Sequence, residues 1–296
     1  MTRSLAALAC LAAALPAWSQ AQAPARPQIE TRKVEGTDNV YIFRNGNHQS
    51  LFVVTKEGVI ATDPVAYGRP QGGQQYVDEI KKVSNGTPIK YLIYSHHHYD
   101  HVAGGKAFKD AGATIIAHRK AAQRLKQLGD PATPLPDETV DDKGRTLKLG
   151  GTTLELRYVG LNHSDSTLVM RLPKEKLIFV VDVLPVGTFP GRGMIDFYPL
   201  EAMDSLKRIE AMEFDRLIPG HPGAPNGRLG TKQDVADQLT LQTHVSERVR
   251  EAAQQGKCWE PVEKEMQFDK YKDMPGYASG LPMVLRRYCA LWGRGT

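Results

Sequence analysis

Five side chains able to hold a metal fall within six residues of this chain: the segment IYSHHHYDHVAGG carries His96, His97, His98, Asp100 and His101. Neutral imidazole and ionised carboxylate are ready donors for zinc, and a catalytic zinc site needs about three protein ligands and one position open to water. The segment leaves an apolar run, Ile89 to Ser95, that reads as a strand. Side chains alternate along a strand, so His96 and His98 project the same way and can share one ion, while His97 points elsewhere. Asp100 and His101 come where the chain turns towards a helix near Ala103, and they face a neighbouring position. The pair Gly104-Gly105 lets backbone pass close to whatever is bound there.

Three further donors lie far along the chain, each in a loop after an apolar run, where the active-site residues of layered α/β folds gather. His163 sits in GLNHSDS, Asp182 ends LIFVVD, and His221 ends RLIPGH. A carboxylate at the end of so apolar a strand needs a cation or hydrogen-bond donors. Alone, His163 and His221 read equally well as turn residues and Asp182 as a helix cap; beside the first cluster they supply the missing ligands. Other histidines carry less. His48 and His244 have no partner in the sequence, and His118 opens a helix after TIIA, a position that explains it as well as a site would. HVAGGKA lacks the first glycine and the Ser or Thr after the lysine that a phosphate loop requires.

The elements that must position these donors are legible from their periodicity. Short β-rich runs, Val40 to Arg44, Ser50 to Thr55 and Gly58 to Asp63, are separated by Asn-Gly and Glu-Gly turn signals and read as antiparallel strands. Helices are expected near Gln74 to Lys82, Ala103 to Ala111 and His118 to Leu128, with strands at Ile89 to Ser95 and Ala113 to Ala117. Strands resume with TLKLG, TTLELRYV, STLVMRL and KLIFVVD. A helix near Leu200 to Met212, the short strand RLIPG and a long helix from about Lys232 to Gln255 close the chain. Two halves, each strands first and helices after, predict an α/β fold of two facing sheets with helices outside. No linker divides them, so residues 39–296 are expected to form one catalytic domain.

The order His96-x-His98-x-Asp100-His101, then His163, Asp182 and His221, resembles the metal-binding set of the metallo-β-lactamase superfamily, and the match runs from about Val40 to His221. The resemblance implies a four-layer αββα sandwich with the metals at one edge of the sheets. It also implies two Zn(2+) per chain, one held by His96, His98 and His163, the other by Asp100, His101 and His221, with Asp182 bridging both. Asp63, in IATDP, resembles the family's buried aspartate that orients a ligand histidine. Asp182 stands where one branch of zinc β-lactamases has cysteine, and in this it is similar to glyoxalase II, lactonase and phosphoesterase relatives. No Glu occupies the His98 position, unlike the di-iron flavoprotein relatives, and the tail after His221 has no evident similarity to the glutathione-binding helices of glyoxalase II. The implied activity is zinc-dependent hydrolysis of an ester, lactone or amide-type bond by a metal-bound hydroxide, with Asp182 bridging and Asp100 relaying a proton. The alternatives are a β-lactamase, an iron-dependent sulfur dioxygenase of the same superfamily, and a non-catalytic metal-binding protein.

Composition narrows the partners. A net charge of +5 over 296 residues, with scattered lysines, offers no track for nucleic acid, so the expected partner is a small-molecule substrate. The Gly- and Pro-rich loop Leu184 to Pro199 follows Asp182, and its Phe189, Ile195, Phe197 and Tyr198 read equally as pocket lining or as core anchors. Residues 1–21 have the basic start, apolar run and Ser19-Gln20-Ala21 cleavage site of a signal peptide, and the run is too short to span a membrane. The expectation is a periplasmic or secreted protein with no stable membrane insertion after cleavage. A flexible arm, 22–38, then precedes the domain. Cys258 and Cys289 remain as a candidate disulfide closing a loop of about 30 residues. Intact-mass measurement on the exported protein should give a chain starting at Gln22.

Overall fold

The computed structural model describes residues 28–296, so the expected signal peptide and the first residues of the arm lie outside the described residues. The described residues start with four antiparallel strands, β1 (Ile29–Lys33), β2 (Val40–Asn45), β3 (His48–Thr55) and β4 (Gly58–Thr62). Helix α1 (Gly72–Val83) then leads to β5 (Ile89–Ile93). Two short helices, α2 (Tyr99–Val102) and α3 (Gly105–Asp110), precede β6 (Thr114–His118), α4 (Arg119–Leu128) and β7 (Glu138–Val140). These strands form one sheet in the order β1 to β7, with β4 to β7 parallel.

The second half builds a five-stranded sheet from β8 (Arg145–Leu149), β9 (Thr152–Tyr158), β10 (Leu168–Leu172), β11 (Leu177–Val180) and β12 (Arg216–Pro219), in the order β12-β11-β10-β9-β8. Helix α5 (Pro199–Glu210) connects β11 to β12, which pair in parallel. Three helices follow: α6 (Lys232–Gln254), α7 (Glu260–Glu265) and α8 (Tyr277–Arg294). No helix among the described residues is long and apolar enough to cross a membrane.

The period of two along each strand decides what lies between the layers. Ile42, Leu51, Val53, Ile60, Ile93 and Ile116 of the first sheet face Leu154, Leu156, Met170, Phe179 and Ile218 of the second and make the inter-sheet core. Their strand neighbours Phe43, Phe52, Ala61, Leu92 and Ile115 point outwards, onto the layer that holds α1, α3 and α4. Val169, Ile178, Val180 and Leu217 do the same beneath α5 and the start of α6. The result is the four-layer αββα sandwich expected from the sequence.

Three elements depart from expectation. Ile29–Lys33, inside the expected arm, is an edge strand paired in full register with β2 and tied by the Arg44–Glu30 ion pair at 2.9 Å. Backbone pairing with β2, rather than any apolar pattern in IETRK, adds this strand to the sheet, so the arm as expected over 22–38 does not hold for these residues. Helix α8 was not legible, because Gly280 and Pro282 inside it are helix-breaking signals; burial of Leu281, Val284, Leu285 and Tyr288 against α6 overrides them. Cys258 and Cys289 lie together as expected of a bonded pair, but as two free thiols. Cys289, pushed up to about 12 by burial and by its hydrogen bond with Cys258, also accepts from the Trp259 amide.

Gly105, at the start of α3, has no room for a side chain: a Cβ there would stand 2.0 Å from the hydroxyl of the buried Tyr94. Gly105→Ala should destabilise the fold by about 1–3 kcal/mol through overpacking. The check is a lowered urea midpoint at unchanged slope.

Candidate metal centre

Two parallel strand pairs aim the donors at one place. Asp63 follows β4 and His96 and His98 follow β5; Asp182 follows β11 and His221 follows β12. Parallel strands end on the same side, so each sheet delivers two loops to one edge. Backbone bonds stitch the sheets together there: Leu168 N donates to Ser95 O at 2.8 Å, and Gln49 N donates to Gly220 O at 2.7 Å. The backbone at this edge is unusual as well. Asp63, Val65 and Asp182 all have positive φ, at 25°, 48° and 58°, conformations that non-glycine residues hold only where surrounding contacts enforce them.

All seven expected ligand residues converge. His96, His98 and His163 form a first donor set, their rings packed edge to face with centroids 4.6 to 4.8 Å apart. Asp100, His101 and His221 belong to a second. Asp182 lies between them: Oδ2 is 2.9 Å from His101 Nε2 and 3.8 Å from His96 Nε2, and Oδ1 is 3.0 Å from His221 Nε2.

Three of the imidazoles have a neighbour behind them at the other nitrogen. His96 Nδ1 meets Ser95 Oγ at 2.9 Å, and His221 Nδ1 donates to Asn47 O at 2.5 Å, in the two-residue hairpin Gly46-Asn47 that joins β2 to β3. Gly46 holds φ +63°, which that tight turn demands. Asp63 is fully buried, accepts from Ser95 N at 2.7 Å and places Oδ2 3.6 Å from His101 Nδ1. In the His163 loop, Asn162 Oδ1 accepts from His163 N, Ser164 N and Thr167 Oγ1. His97, pointing away from the donors, is anchored on Ser164 and Ser166 and so ties the first ligand loop to the His163 loop.

The electrostatics separate the two sets. Burial, reinforced by neighbouring imidazoles, holds His96 well below its ordinary value and lowers His98 to about 4. Burial also lowers His163 to about 4, against the pull of Asp182. These three rings are therefore neutral at pH 7 and keep a lone pair for a cation. At His101 burial acts in the same direction, but the Asp182, Asp100 and Asp63 carboxylates outweigh it and raise the ring well above its usual value. Burial opposes ionisation of Asp182, yet His101 and His221 hold it well below the carboxylate range. Nε2 of His96 and His163 are buried with no hydrogen-bond partner among the described residues. One such orphan costs about 1–3 kcal/mol, and two in one donor set fit a site built for a cation.

Two histidines differ from what the sequence suggested, and the structure decides between the alternatives left for others. His48 does have partners: its Nε2 lies 3.3 Å from Asp100 Oδ2 and its ring packs on His221. The signal was its place at the end of the Asn-Gly turn. His244 also has partners, Tyr271 and Phe268, but in the C-terminal helical core. His118 is a helix cap stacked on Tyr158. Phe189 and Phe197 are core anchors in the cluster of α6 and α8 rather than pocket lining, whereas Ile195 is 90% exposed. A residue missed entirely is Asp196, in the same loop, 3.8 Å from both His98 and His163. Burial pushes its carboxyl up to about 6, with Asp182 and Asp100 adding to the shift.

A family model described as the metallo-beta-lactamase superfamily matches residues 44–221. The alpha subunit of 2,4-dinitroanisole O-demethylase from Nocardioides sp. is 24% identical over 196 residues, 66% of this chain and 58% of that protein. A hydroxyacylglutathione hydrolase from Prochlorococcus marinus is 28% identical over 169 residues, 56% of this chain and 60% of that protein. The chain thus matches only about three fifths of the length of these relatives. Among solved structures, a metallo-beta-lactamase from Pontibacter korlensis superposes with a TM-score of 0.63 at 21% identity, covering 73% of this chain and 99% of that one.

Asp63→Ala removes the carboxylate behind His101 and the acceptor of Ser95 N. Loss of such a supporting group typically weakens metal binding about 10–100-fold, so chelator competition should show that fall at the second donor set, with a smaller one at the first, which Asp63 reaches through Ser95.

Proposed function

The chain belongs to the metallo-beta-lactamase superfamily, and on that premise we propose that it is an exported zinc-dependent hydrolase that opens an ester, lactone or amide-type bond. The observation that carries this reading is Asp182, whose two oxygens face Nε2 atoms from both donor sets. His96, His98 and His163 would hold one divalent ion, Asp100, His101 and His221 the other, and Asp182 both. Zinc ions so held supply Lewis acidity for a carbonyl oxygen and lower the pKa of water from 15.7 to about 7.

The protein's own groups do the rest. Asp100 directs Oδ2 at both His48 and His101, which leaves Oδ1 to take the proton of the attacking water. Asp196 is 42% exposed beside His98 and His163, where it can return a proton to a departing alcohol or amine. Ser95, Asn47 and Asp63 fix the imidazole orientations, so reactive geometry is set before substrate arrives. Ile195, next to Asp196 and exposed, offers an apolar contact to the acyl or aromatic portion of a substrate. The mild positive charge with scattered lysines favours a neutral substrate over a polyphosphate or nucleic acid.

The test is a hydrolysis panel on the zinc-loaded protein: esters, thioesters, lactones, β-lactams, an aryl methyl ether and phosphodiesters. Turnover of an ester or lactone is expected, falling by at least about 100-fold in His98→Ala while circular dichroism stays unchanged. Cleavage of phosphodiesters alone would refute the carbonyl assignment, and two bound ions with no turnover would point to a non-catalytic metal protein.

A further inference from the structure

The second donor set contains a residue that the superfamily resemblance did not supply. His48 opens β3, at the end of the Gly46-Asn47 hairpin, and the same hairpin anchors His221 through Asn47 O. It lies deep in the site: its side chain is 16% exposed, and its ring centroid is 4.6 Å from that of His221 and 5.5 Å from that of His101. The ligand atoms of His48, Asp100, His101 and His221 all fall within 4.8 Å of one another.

The distances discriminate between a hydrogen bond and shared coordination. Asp100 Oδ2 has His48 Nε2 at 3.3 Å and His101 Nε2 at 3.4 Å. A charge-assisted N–H to carboxylate bond closes to about 2.7–2.9 Å. Donors on one zinc ion with bonds of about 2.1 Å stand about 3.0 Å apart at right angles and about 3.4 Å apart at the wider angles of tetrahedral or equatorial positions. One oxygen equally far from two imidazole nitrogens, at the longer spacing, matches two ligand edges better than two hydrogen bonds.

We propose that His48 is a direct ligand of the second metal ion. That ion then has His48, Asp100, His101, His221 and Asp182, five protein donors, against four at the first, His96, His98, His163 and Asp182. The centre is asymmetric. The second position suits an ion that accepts five or six ligands, zinc in its expanded geometry or a harder divalent ion such as manganese or iron, and it retains that ion more tightly. The first position, with one protein donor fewer, would be the one better able to expand its coordination to take a substrate oxygen.

This rests on the two-ion reading above, and the experiment separates the two. Wild-type protein, His48→Ala and His48→Gln are loaded with Co(II), whose visible absorption is strong when four-coordinate and weak at five or six. Chelator competition is followed in parallel and circular dichroism verifies folding. For wild type, two ions are expected, the tighter one giving weak bands. In both variants that ion should bind at least about 10-fold more weakly and its bands should intensify, while the other ion is unaffected. Two ions with unchanged affinity and spectrum in both variants would overturn the ligand role alone. Restoration of wild-type binding by the glutamine, which keeps an N–H towards Asp100, would also overturn it and make His48 a positioning residue. A wild-type protein that takes up one ion would overturn the two-ion reading and this inference with it.

Discussion

Asp182 is the group on which the arrangement turns. Its carboxylate is 15% exposed and faces three imidazole nitrogens, two of them at 3.0 Å or less. A carboxylate so enclosed stays ionised only beside positive charge. With no ion bound, the raised His101 and His221 can supply it as protons; divalent ions would supply it more strongly. The left-handed backbone at Asp182 sets this side chain just beyond the end of a strand whose residues are wholly apolar.

Everything that brings other donors to Asp182 is remote in sequence and local in space. The parallel pairs β4–β5 and β11–β12 end on one edge, and Gln49–Gly220 and Ser95–Leu168 hydrogen bonds hold the sheets together where the ligand loops emerge. Away from that edge the space between the sheets is filled by apolar side chains, with polar ties such as Arg145–Glu138 and Asn39–Thr152 at the margins. The fold thus separates its tasks, with stability in the alternating apolar faces and charge at one rim. The helical cluster around α8 extends this division. Phe189 and Phe197 anchor the long loop in that cluster, and the Arg287 guanidinium donates to Phe197 O, so Asp196 reaches the first donor set from a fixed base.

The histidine-rich segment could be read directly because its donors alternate on one short stretch, where local geometry decides which face each takes. Asp63, His163, Asp182 and His221 were legible because each ends or follows an apolar run, a pattern that needs no knowledge of contacts. His48 carried no such mark: it stands alone in the sequence, and its proximity to Asp100, 52 residues away, depends on the hairpin folding over the second sheet's last strand. Asp196 was hidden in a loop whose aromatic residues drew attention as possible lining, when packing sends them into the core. Helix α8 was concealed by Gly280 and Pro282, whose local preference yields to burial on α6.

The sequence by itself therefore determined the layered α/β class, the period-two strands that create two faces per sheet, and the identity of the seven principal donors, since these follow from local alternation and from polar residues at apolar strand ends. Only the tertiary structure decided that His101 is the ring behind which Asp63 stands, that Ile29–Lys33 is an edge strand, and that His48 and Asp196 join the site. These are relations between segments tens to hundreds of residues apart, set by how two sheets pack and where their ends meet, and no local pattern encodes that distance.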